Sequence, residues 1–235
     1  MDLPAELPHG PSVRLGRLAR LGFAALALLL VIGPDGAGAR DADVPGRFDH
    51  YVLPLSWSPT SCEAKGRDAE PAQCARARPF AFVVHGLWPQ FERGWPEDCQ
   101  KPAPFVPEAT VRGMLELMPS RRLVIHEWRK HGTCSGLTPN GYFDTVRQAR
   151  SAVVIPDRFA RIDDYTMVAP AEVEAAFRAA NPGLEPDMIS VDCDARRLTE
   201  VKICLNRQLG FTKCEEVDRR ACRAARIVMP PMRGG

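Results

Sequence analysis

The segment LVIHEWRKHGTC, residues 123–134, groups side chains that can transfer protons and bind anions. If this segment is helical, at about 100° per residue, His126 and Lys130 share one face. Glu127 and His131 then share the adjacent face. Imidazole, with an ordinary pKa of about 6.5, can act as an acid or a base near neutral pH. The spacing therefore predicts a catalytic site built on one helix.

A zinc site is one alternative, because His126 and Glu127 begin like an HExxH motif. Two zinc-binding histidines on a helix need the spacing i and i+4, whereas His126 and His131 are i and i+5, about 140° apart. A solvated charged face that carries two incidental histidines is a second alternative. The spacing disfavours the zinc site, and the density of acid–base groups disfavours the plain charged face.

A third histidine, His85, lies in FVVHGLWPQ, residues 82–90, near the end of a predicted strand. A strand end fixes the backbone while the side chain reaches solvent, which suits a catalytic group. Taken alone, His85 is better explained as a half-buried structural histidine, and only its combination with His126 and His131 favours a catalytic role. Three histidines with a glutamate and a lysine, without a nucleophilic serine motif, indicate phosphoryl chemistry in which the substrate supplies the nucleophile. RNA has such a nucleophile in its 2′-hydroxyl.

The first 39 residues have the pattern of a secretion signal. Three arginines precede an apolar run over residues 21–32, and Ala-Gly-Ala follows at residues 37–39. The apolar run is too short to span a bilayer, and a membrane anchor, which would need a longer run, is the alternative. We therefore expect a mature chain of residues 40–235, periplasmic or secreted, and free of the membrane after signal cleavage.

All eight cysteines lie after the predicted cleavage site. An even number of cysteines in an exported chain predicts four disulfides, although the sequence alone leaves the pairing open. The formal net charge is only +2. Any attraction to phosphate must therefore come from local placement of charge, which argues against a generally basic nucleic-acid-binding protein.

No internal repeat or long linker divides residues 40–235, which predicts one domain. Alternation and apolar runs predict strands over residues 51–57, 80–87, 188–193 and 198–205. Periodicity and end signals predict helices over residues 107–117, 121–130, 140–152 and 170–180. Gly132 is expected to end the second of these helices just after His131. Helices in the middle and strands at both ends predict an α+β fold, with a central antiparallel sheet, helices packed on it and disulfides stabilising the domain.

The segments FVVHGLWPQ and HEWRKHGTC closely resemble the two active-site signatures of the ribonuclease T2 family. The segment YVLPLSWSPTSC, residues 51–62, resembles the N-terminal strand of its bacterial periplasmic members, the ribonuclease I type. The cysteine-rich segment 193–222 is similar to the C-terminal hairpin region of the family. The resemblance implies an exported, metal-independent endoribonuclease of low base specificity. Such an enzyme needs no cofactor, is expected to be a monomer, and cleaves single-stranded RNA through 2′,3′-cyclic phosphates.

The resemblance also implies a role for each residue of the site. His85 is expected to be the general acid for the leaving 5′-oxygen, and His131 the general base for the 2′-hydroxyl. His126 is expected to bind and orient the phosphate. Glu127 and Lys130 are expected to stabilise the phosphorane, the lysine by charge and the glutamate by hydrogen bonding or by tuning the histidines.

Three further residues are candidates for substrate binding. Trp88 is expected to stack on a base, with packing in the core as the alternative. Trp57 is a weaker candidate for which a structural role is the stronger explanation. Gln90 stands where fungal members carry an acidic residue, and Ser56 lies where plant members show glutamine, so the base preference is not predicted.

The disulfides that the resemblance implies form two simple pairs and one nested set. They are Cys62 with Cys74, Cys99 with Cys134, and Cys204 with Cys214 inside Cys193 with Cys222. Two rival functions stay open at this stage. One is a catalytically silent RNA-binding or inhibitor-titrating relative, and the other is a secreted metallohydrolase built on His126, Glu127 and His131.

Overall fold

The structure, a computed structural model, describes residues 43–74 and 79–232. The secretion signal predicted over residues 1–39 lies outside this description. The described residues belong to one compact unit with mixed helices and antiparallel strands. The predicted α+β class and the single disulfide-bonded domain are confirmed. Within the described ranges, no helix has the length and apolar character needed to cross a membrane.

The main sheet has the strand order β2-β1-β6-β5, and β3 also pairs with β1. The strands are β1 (His50–Trp57), β2 (Phe82–Val84), β3 (Trp88–Gln90), β4 (Thr166–Val168), β5 (Ile189–Cys193), β6 (Leu198–Leu205) and β7 (Ile227–Met229). β4 and β7 form a separate antiparallel pair. The predicted hairpin of β5 and β6 is confirmed, and its two strands pair antiparallel.

One edge of β1 pairs with β6, whereas β2 and β3 share the other edge. The sequence predicts a single strand over residues 80–87, and this prediction is wrong in its extent. The chain leaves the regular ladder after Val84 and pairs with β1 again from Trp88. The amide of His85 still donates to the carbonyl of Pro54 at 3.0 Å. His85 therefore sits on a fixed backbone at the break between two short strands.

The helices occupy the middle of the chain and the regions next to the strands. They are α1 (Ser58–Lys65), α2 (Pro71–Cys74), α3 (Glu108–Met114), α4 (Arg121–Lys130), α5 (Pro139–Ser151), α6 (Pro170–Ala180) and α7 (Glu215–Arg219). The predicted bounds of α4 and α6 are confirmed, and α5 differs by one residue at each end. α3 is shorter than the predicted 107–117, because Pro107 is its N-cap and the chain turns after Met114. The sequence did not predict α1, α2 or α7.

One face of the main sheet packs against the helices to form the core. Leu53, Leu55 and Ile203 on this face are fully buried in one cluster with aromatic side chains from α5 and α6. Trp57 lies on the same face, has no exposed surface, and donates from Nε1 to the carbonyl of Pro230 at 3.0 Å. The proposal that Trp57 binds substrate is therefore wrong in this structure, since a fully buried ring cannot stack on a base.

The opposite face of the sheet is only partly apolar. Val52 and Cys204 on this face form a small buried cluster, against which Trp88 packs. Ser56 and Glu200, which are opposite each other in the register of β1 and β6, lie on the same face because side chains alternate along a strand. The sheet thus presents a mixed surface on the side away from the core.

The structure contains four disulfides, and they are the pairs that the resemblance implies. They join Cys62 to Cys74, Cys99 to Cys134, Cys193 to Cys222 and Cys204 to Cys214. The bridge from Cys99 spans 35 residues and ends three residues after His131. Next to Cys99, the amide of Asp98 donates to the carbonyl of Lys130 at 2.8 Å. This bridge therefore helps to hold the C-terminal end of α4.

Removal of this bridge is expected to affect both stability and activity. The C99S/C134S variant should lose about 2–4 kcal/mol of unfolding free energy, because a cross-link restricts the unfolded chain. Its kcat for RNA cleavage should also fall, because the C-terminal end of α4 is no longer linked covalently to the segment that contains Cys99. The C62S/C74S variant is the matched control, because that bridge spans 12 residues and closes the α1–α2 segment, whose Glu70 contacts Ser120 at the start of α4 and not at its end. Urea unfolding measures the loss of stability, and RNA cleavage assays measure the loss of kcat. Equal losses of kcat in the two double variants would contradict the prediction.

Candidate active site

Helix α4 is anchored by its first turn and by its apolar face. The side chain of Ser120 caps the helix and accepts a hydrogen bond from the amide of Leu123 at 3.2 Å. Such a cap satisfies one of the free N–H groups at a helix start. Val124 and Trp128 are buried, and Trp128 also donates from Nε1 to the carbonyl of Pro104 at 2.8 Å. The remaining faces of α4 are free to line a cavity.

The helix ends where the sequence predicts, but for a different reason. His131 is the C-cap, and a turn of 3-10 helix begins at Gly132. Gly132 does not adopt the left-handed conformation of a usual helix-ending glycine, which occurs at Gly136, with φ of 77°. A Cβ at Gly132 would lie only 2.5 Å from the ring of Trp128 and 2.9 Å from that of Tyr142. Gly132 is therefore required for the close packing of α4 on α5.

The polar residues of both signatures line one cavity of about 420 Å³. Its walls come from α4, β3, β6, α7 and the segments next to them. The lining residues are Val52, His85, Trp88, Gln90, Trp95, His126, Glu127, Lys130, His131, Lys202, Glu216, Val217 and Arg220. All the predicted catalytic residues, together with Trp88 and Gln90, are thus brought together.

Glu127 is the buried carboxylate at the floor of this cavity. Its residue is only 1% exposed, and its Oε2 accepts a hydrogen bond from Nε1 of Trp88 at 2.7 Å. Burial raises the pKa of Glu127, although the nearby His85, Trp88 and Lys130 oppose this effect. A Cβ at Gly86 would lie 2.2 Å from Oε2 of Glu127. The approach of the two signatures therefore depends on glycine at position 86.

His85 lies between two carboxylates. Its Nδ1 is 2.5 Å from Oε1 of Glu200, and its Nε2 is 3.6 Å from Oε1 of Glu127. Burial lowers the pKa of His85, but the hydrogen bond to Glu200 and the charges of both carboxylates outweigh burial, so the pKa is raised. The segment after His85 is held by Tyr142, whose hydroxyl accepts from the amide of Leu87 and donates to its carbonyl. His85 is thus held in place and favours its protonated form.

His131 has the opposite electrostatic environment. The residue is 8% exposed, and burial lowers its pKa to about 3, with further lowering by Lys130, His85 and His126. Its ring centroid is 5.2 Å from that of Trp88. The neutral imidazole has a free lone pair and can accept a proton. The environments of His85 and His131 therefore separate a protonated imidazole from a neutral one.

His126 and Lys130 lie on the open side of the cavity. His126 is exposed and lines both this cavity and a neighbouring groove that includes Arg122 and Arg129. Nζ of Lys130 is 3.5 Å from Oε2 of Glu97. The imidazole of His126 and the ammonium of Lys130 are both accessible to an anion that enters the cavity.

Trp88 lies between the two histidines, with ring centroids 5.3 Å from His85 and 5.2 Å from His131. It is partly buried and packs against the small apolar cluster of the sheet. Gln90 is half-buried and lines the same cavity. Trp95, which the sequence analysis did not single out, is 41% exposed and offers a second aromatic surface in the cavity wall.

The sequence analysis also missed two charged residues on β6. Glu200 contacts His85, and Lys202 lines the cavity with Nζ 5.7 Å from the ring centroid of Trp88. The sequence contained a signal for both residues, because Glu200 and Lys202 are two positions apart and alternate with the buried Val201 and Ile203. Strand alternation places both charges on the face away from the core.

The histidines of α4 do not belong to a metal ligand set within the structure as described. Across residues 43–74 and 79–232, no group of three or more His, Cys, Asp and Glu side chains is arranged to hold a metal ion. Glu127, which a zincin-like site would use, instead accepts a hydrogen bond from Trp88.

The family model described as the ribonuclease T2 family matches residues 48–214. A protein from Aeromonas hydrophila named "Ribonuclease" is 36% identical over 167 residues, which cover 69% of this chain and 74% of the relative. "Ribonuclease I" of Escherichia coli K12 is 26% identical over 225 residues, covering 75% of this chain and 82% of the relative.

Solved structures show the same fold at low sequence identity. An RNase-related protein from Calystegia sepium superposes with a TM-score of 0.64 at 19% identity, covering 79% of this chain and 98% of the other. RNase NT, solved with 5′-AMP, gives a TM-score of 0.58 at 24% identity, covering 79% and 99%. Because the family model spans both signatures and most of the sheet, the chain belongs to the ribonuclease T2 family and is an endoribonuclease.

Proposed function

We propose that this endoribonuclease cleaves single-stranded RNA by attack of the 2′-hydroxyl on the adjacent phosphorus, without a metal ion. The opposed environments of His85 and His131 in one cavity carry this proposal. Titratable groups whose pKa values are pushed apart mark the acid and the base of a reaction. The raised pKa of His85 suits a proton donor, and the lowered pKa of His131 suits a proton acceptor.

In the first step, His131 takes the proton of the 2′-hydroxyl as the oxygen attacks phosphorus. His85 gives its proton to the 5′-oxygen as the P–O5′ bond breaks. The products are a 2′,3′-cyclic phosphate and a free 5′-hydroxyl. A base with a pKa of about 3 is weak in the free enzyme, but a bound phosphodiester brings a negative charge that offsets the lowering by Lys130 and His126.

The phosphorane is expected to lie between Lys130, Glu127 and His126. The ammonium of Lys130 stabilises its negative charge, and the exposed His126 orients the phosphate on entry. Glu127, with its raised pKa, supplies a hydrogen bond or tunes His85, whose Nε2 lies 3.6 Å away. In the second step, water opens the cyclic phosphate with the roles of His85 and His131 exchanged, which leaves a 3′-phosphate.

We further infer that the enzyme has a low base preference and acts outside the cytoplasm. The faces of Trp88 and Trp95 can stack on any base, because every base has a π-face. The complex of RNase NT with 5′-AMP is consistent with nucleotide binding in this fold. The four disulfides favour an oxidising compartment, periplasmic or extracellular, and the enzyme is expected to act as a monomer.

The test is digestion of a short RNA by the oxidised protein in excess EDTA, beside the same oligonucleotide with one 2′-deoxy position. We expect mass spectrometry to detect 2′,3′-cyclic-phosphate ends at the cleaved bonds. The bond after the deoxy residue should stay intact. Cleavage that is lost in EDTA and restored by zinc would overturn the proposal in favour of a metallohydrolase. RNA binding without any cleavage would instead indicate a catalytically silent relative.

A further inference from the structure

A row of polar side chains crosses the main sheet and leads to His85. In the register of the sheet, Ser56 of β1 and Asp192 of β5 both lie opposite Glu200 of β6. Lys202 lies two residues further along β6, on the same face. This row belongs to neither active-site signature, yet one end of it contacts a catalytic residue of the proposed reaction.

We propose that Glu200 is a positioning residue for His85. Its carboxylate accepts the Nδ1 proton of His85 and fixes the ring, so that Nε2 is the nitrogen that points towards the substrate. The inference rests on the proposed function in one respect, since it assumes that His85 acts as the general acid. Nδ1 is 2.5 Å from Oε1 of Glu200, well within hydrogen-bond distance.

Glu200 is itself fixed by its neighbours in the row. Oγ of Ser56 donates to the same Oε1 at 2.7 Å, and Nζ of Lys202 is 4.0 Å from Oε2. Lys202 is held in turn by a short contact with Asp192. A carboxylate with three partners cannot easily swing away from the imidazole. The ring of His85 is therefore oriented from the sheet, through Glu200.

The charges around Glu200 keep it ionised. Burial raises its pKa, but the hydrogen bond and charge of His85, the hydrogen bond from Ser56 and the charge of Lys202 lower it by more. An ionised carboxylate can only accept hydrogen bonds, so Nδ1 of His85 must carry a proton. Donation through Nε2 then requires the doubly protonated ring, which the adjacent negative charge stabilises.

The two carboxylates near His85 have different positions and different tasks. Glu200 contacts Nδ1 from the sheet, whereas Glu127 lies 3.6 Å from Nε2 on the side of the cavity. Lys202 is the cation that opposes them, and its charge lowers the pKa of His85. The net charge facing the ring from β6 and α4 is thus negative. Removal of Glu200 leaves Glu127 and Lys202, whose effects on the pKa of His85 oppose each other.

The test compares Glu200→Gln with the wild-type enzyme by ¹⁵N NMR of the histidine rings and by pH-dependent kinetics. E200Q should lower the pKa of His85 and move the basic limb of the kcat/KM profile to lower pH. We expect kcat near neutral pH to fall about 10- to 100-fold, the range typical for loss of the carboxylate that orients a metal-binding histidine, which is a comparable contact. KM should change little, because Glu200 does not line the cavity.

Glu174→Gln is the matched control, because it removes a half-buried carboxylate on α6 that belongs to no part of the row and has no contact with His85. It should leave the NMR titration of His85 close to that of the wild type. A shift in E174Q as large as that in E200Q would overturn the proposal, since it would indicate a general charge effect. An unchanged titration and an unchanged pH profile in E200Q would also overturn it.

Two further observations keep the result interpretable. If E200Q does not fold, the ¹⁵N spectrum of the wild-type enzyme tests the proposal by itself. The proposal requires the neutral ring of His85 to carry its proton on Nδ1. A proton on Nε2 would contradict it. The ring titration is measured without RNA, so it is independent of the proposed function. Failure of the 2′-deoxy test would reject the reaction, whereas a wild-type titration in E200Q would reject only the role of Glu200.

Discussion

Replacing His85 or His131 with alanine is expected to lower kcat/KM for RNA cleavage by about 10²- to 10⁴-fold each. This is the usual contribution of a positioned acid or base. The double variant H85A/H131A should be little worse than either single variant, because the two groups act in one concerted step. Initial rates on a defined RNA oligonucleotide, with RNA affinity measured in parallel, provide the comparison.

The pH profile distinguishes the two roles. The wild-type kcat/KM should require His85 protonated and His131 neutral. Because the pKa of His85 is raised above 6.5, the rate should fall only as the pH rises past that raised value. Because the pKa of His131 is lowered to about 3, its acid limb should lie far below neutral pH. Residual activity of H85A should lack the basic limb, and a retained limb would reassign the acid.

His50→Gln offers a control for the loss of a histidine. His50 is 4% exposed and does not line the cavity. Once circular dichroism shows that H50Q is folded, its cleavage rate should remain close to that of the wild type. A loss in H50Q as large as that in H85A would indicate that the effect arises from folding and not from proton transfer.

Replacing Lys130 with alanine is expected to give the second largest effect, a fall in kcat of about 10²- to 10³-fold. This magnitude is typical for loss of a group that stabilises charge in the transition state. Glu127→Gln, which keeps an acceptor for Nε1 of Trp88, should also lower kcat more than it raises KM. His126→Ala should instead act mainly on KM, since we propose that His126 binds and orients the phosphate.

Steady-state kinetics on a dinucleotide substrate separate kcat from KM for these variants. Arg121→Ala is the matched control for loss of a positive charge on α4, because Arg121 is exposed and pairs with Glu108 away from the cavity. It should keep both constants near the wild-type values. A rise in KM at constant kcat in K130A would show that Lys130 binds the ground state and the transition state equally.

The sequence predicts the geometry of the second signature well because its first five residues, 126–130, lie on one helix. Periodicity alone places His126, Glu127 and Lys130, and the structure retains the helix bounds. The contact of His85 with this helix cannot be derived from periodicity, since it depends on how β2 and β3 pair with β1. The resemblance of the two segments to known signatures supplied this long-range information.

Glu200 and Trp57 show where a single sequence is insufficient. Glu200 lies 115 positions along the chain from His85. The two side chains meet only because β6 pairs with β1 in one particular register. Trp57 follows Ser56 on β1, and the alternation of the strand sends the two side chains to opposite faces. The sequence does not say which face is the core. The structure puts the tryptophan inside and the serine in the row that contacts His85 through Glu200.

The bridge from Cys99 to Cys134 has a consequence for the cell that makes this enzyme. Thiols stay reduced in the cytosol, so a newly made chain cannot close this bridge there. The end of α4, with Lys130 and His131, then lacks its covalent tie. If the enzyme is exported as we propose, oxidation completes it only after synthesis. We therefore expect the reduced chain to be less active while the messenger and ribosomal RNA of its producer are within reach.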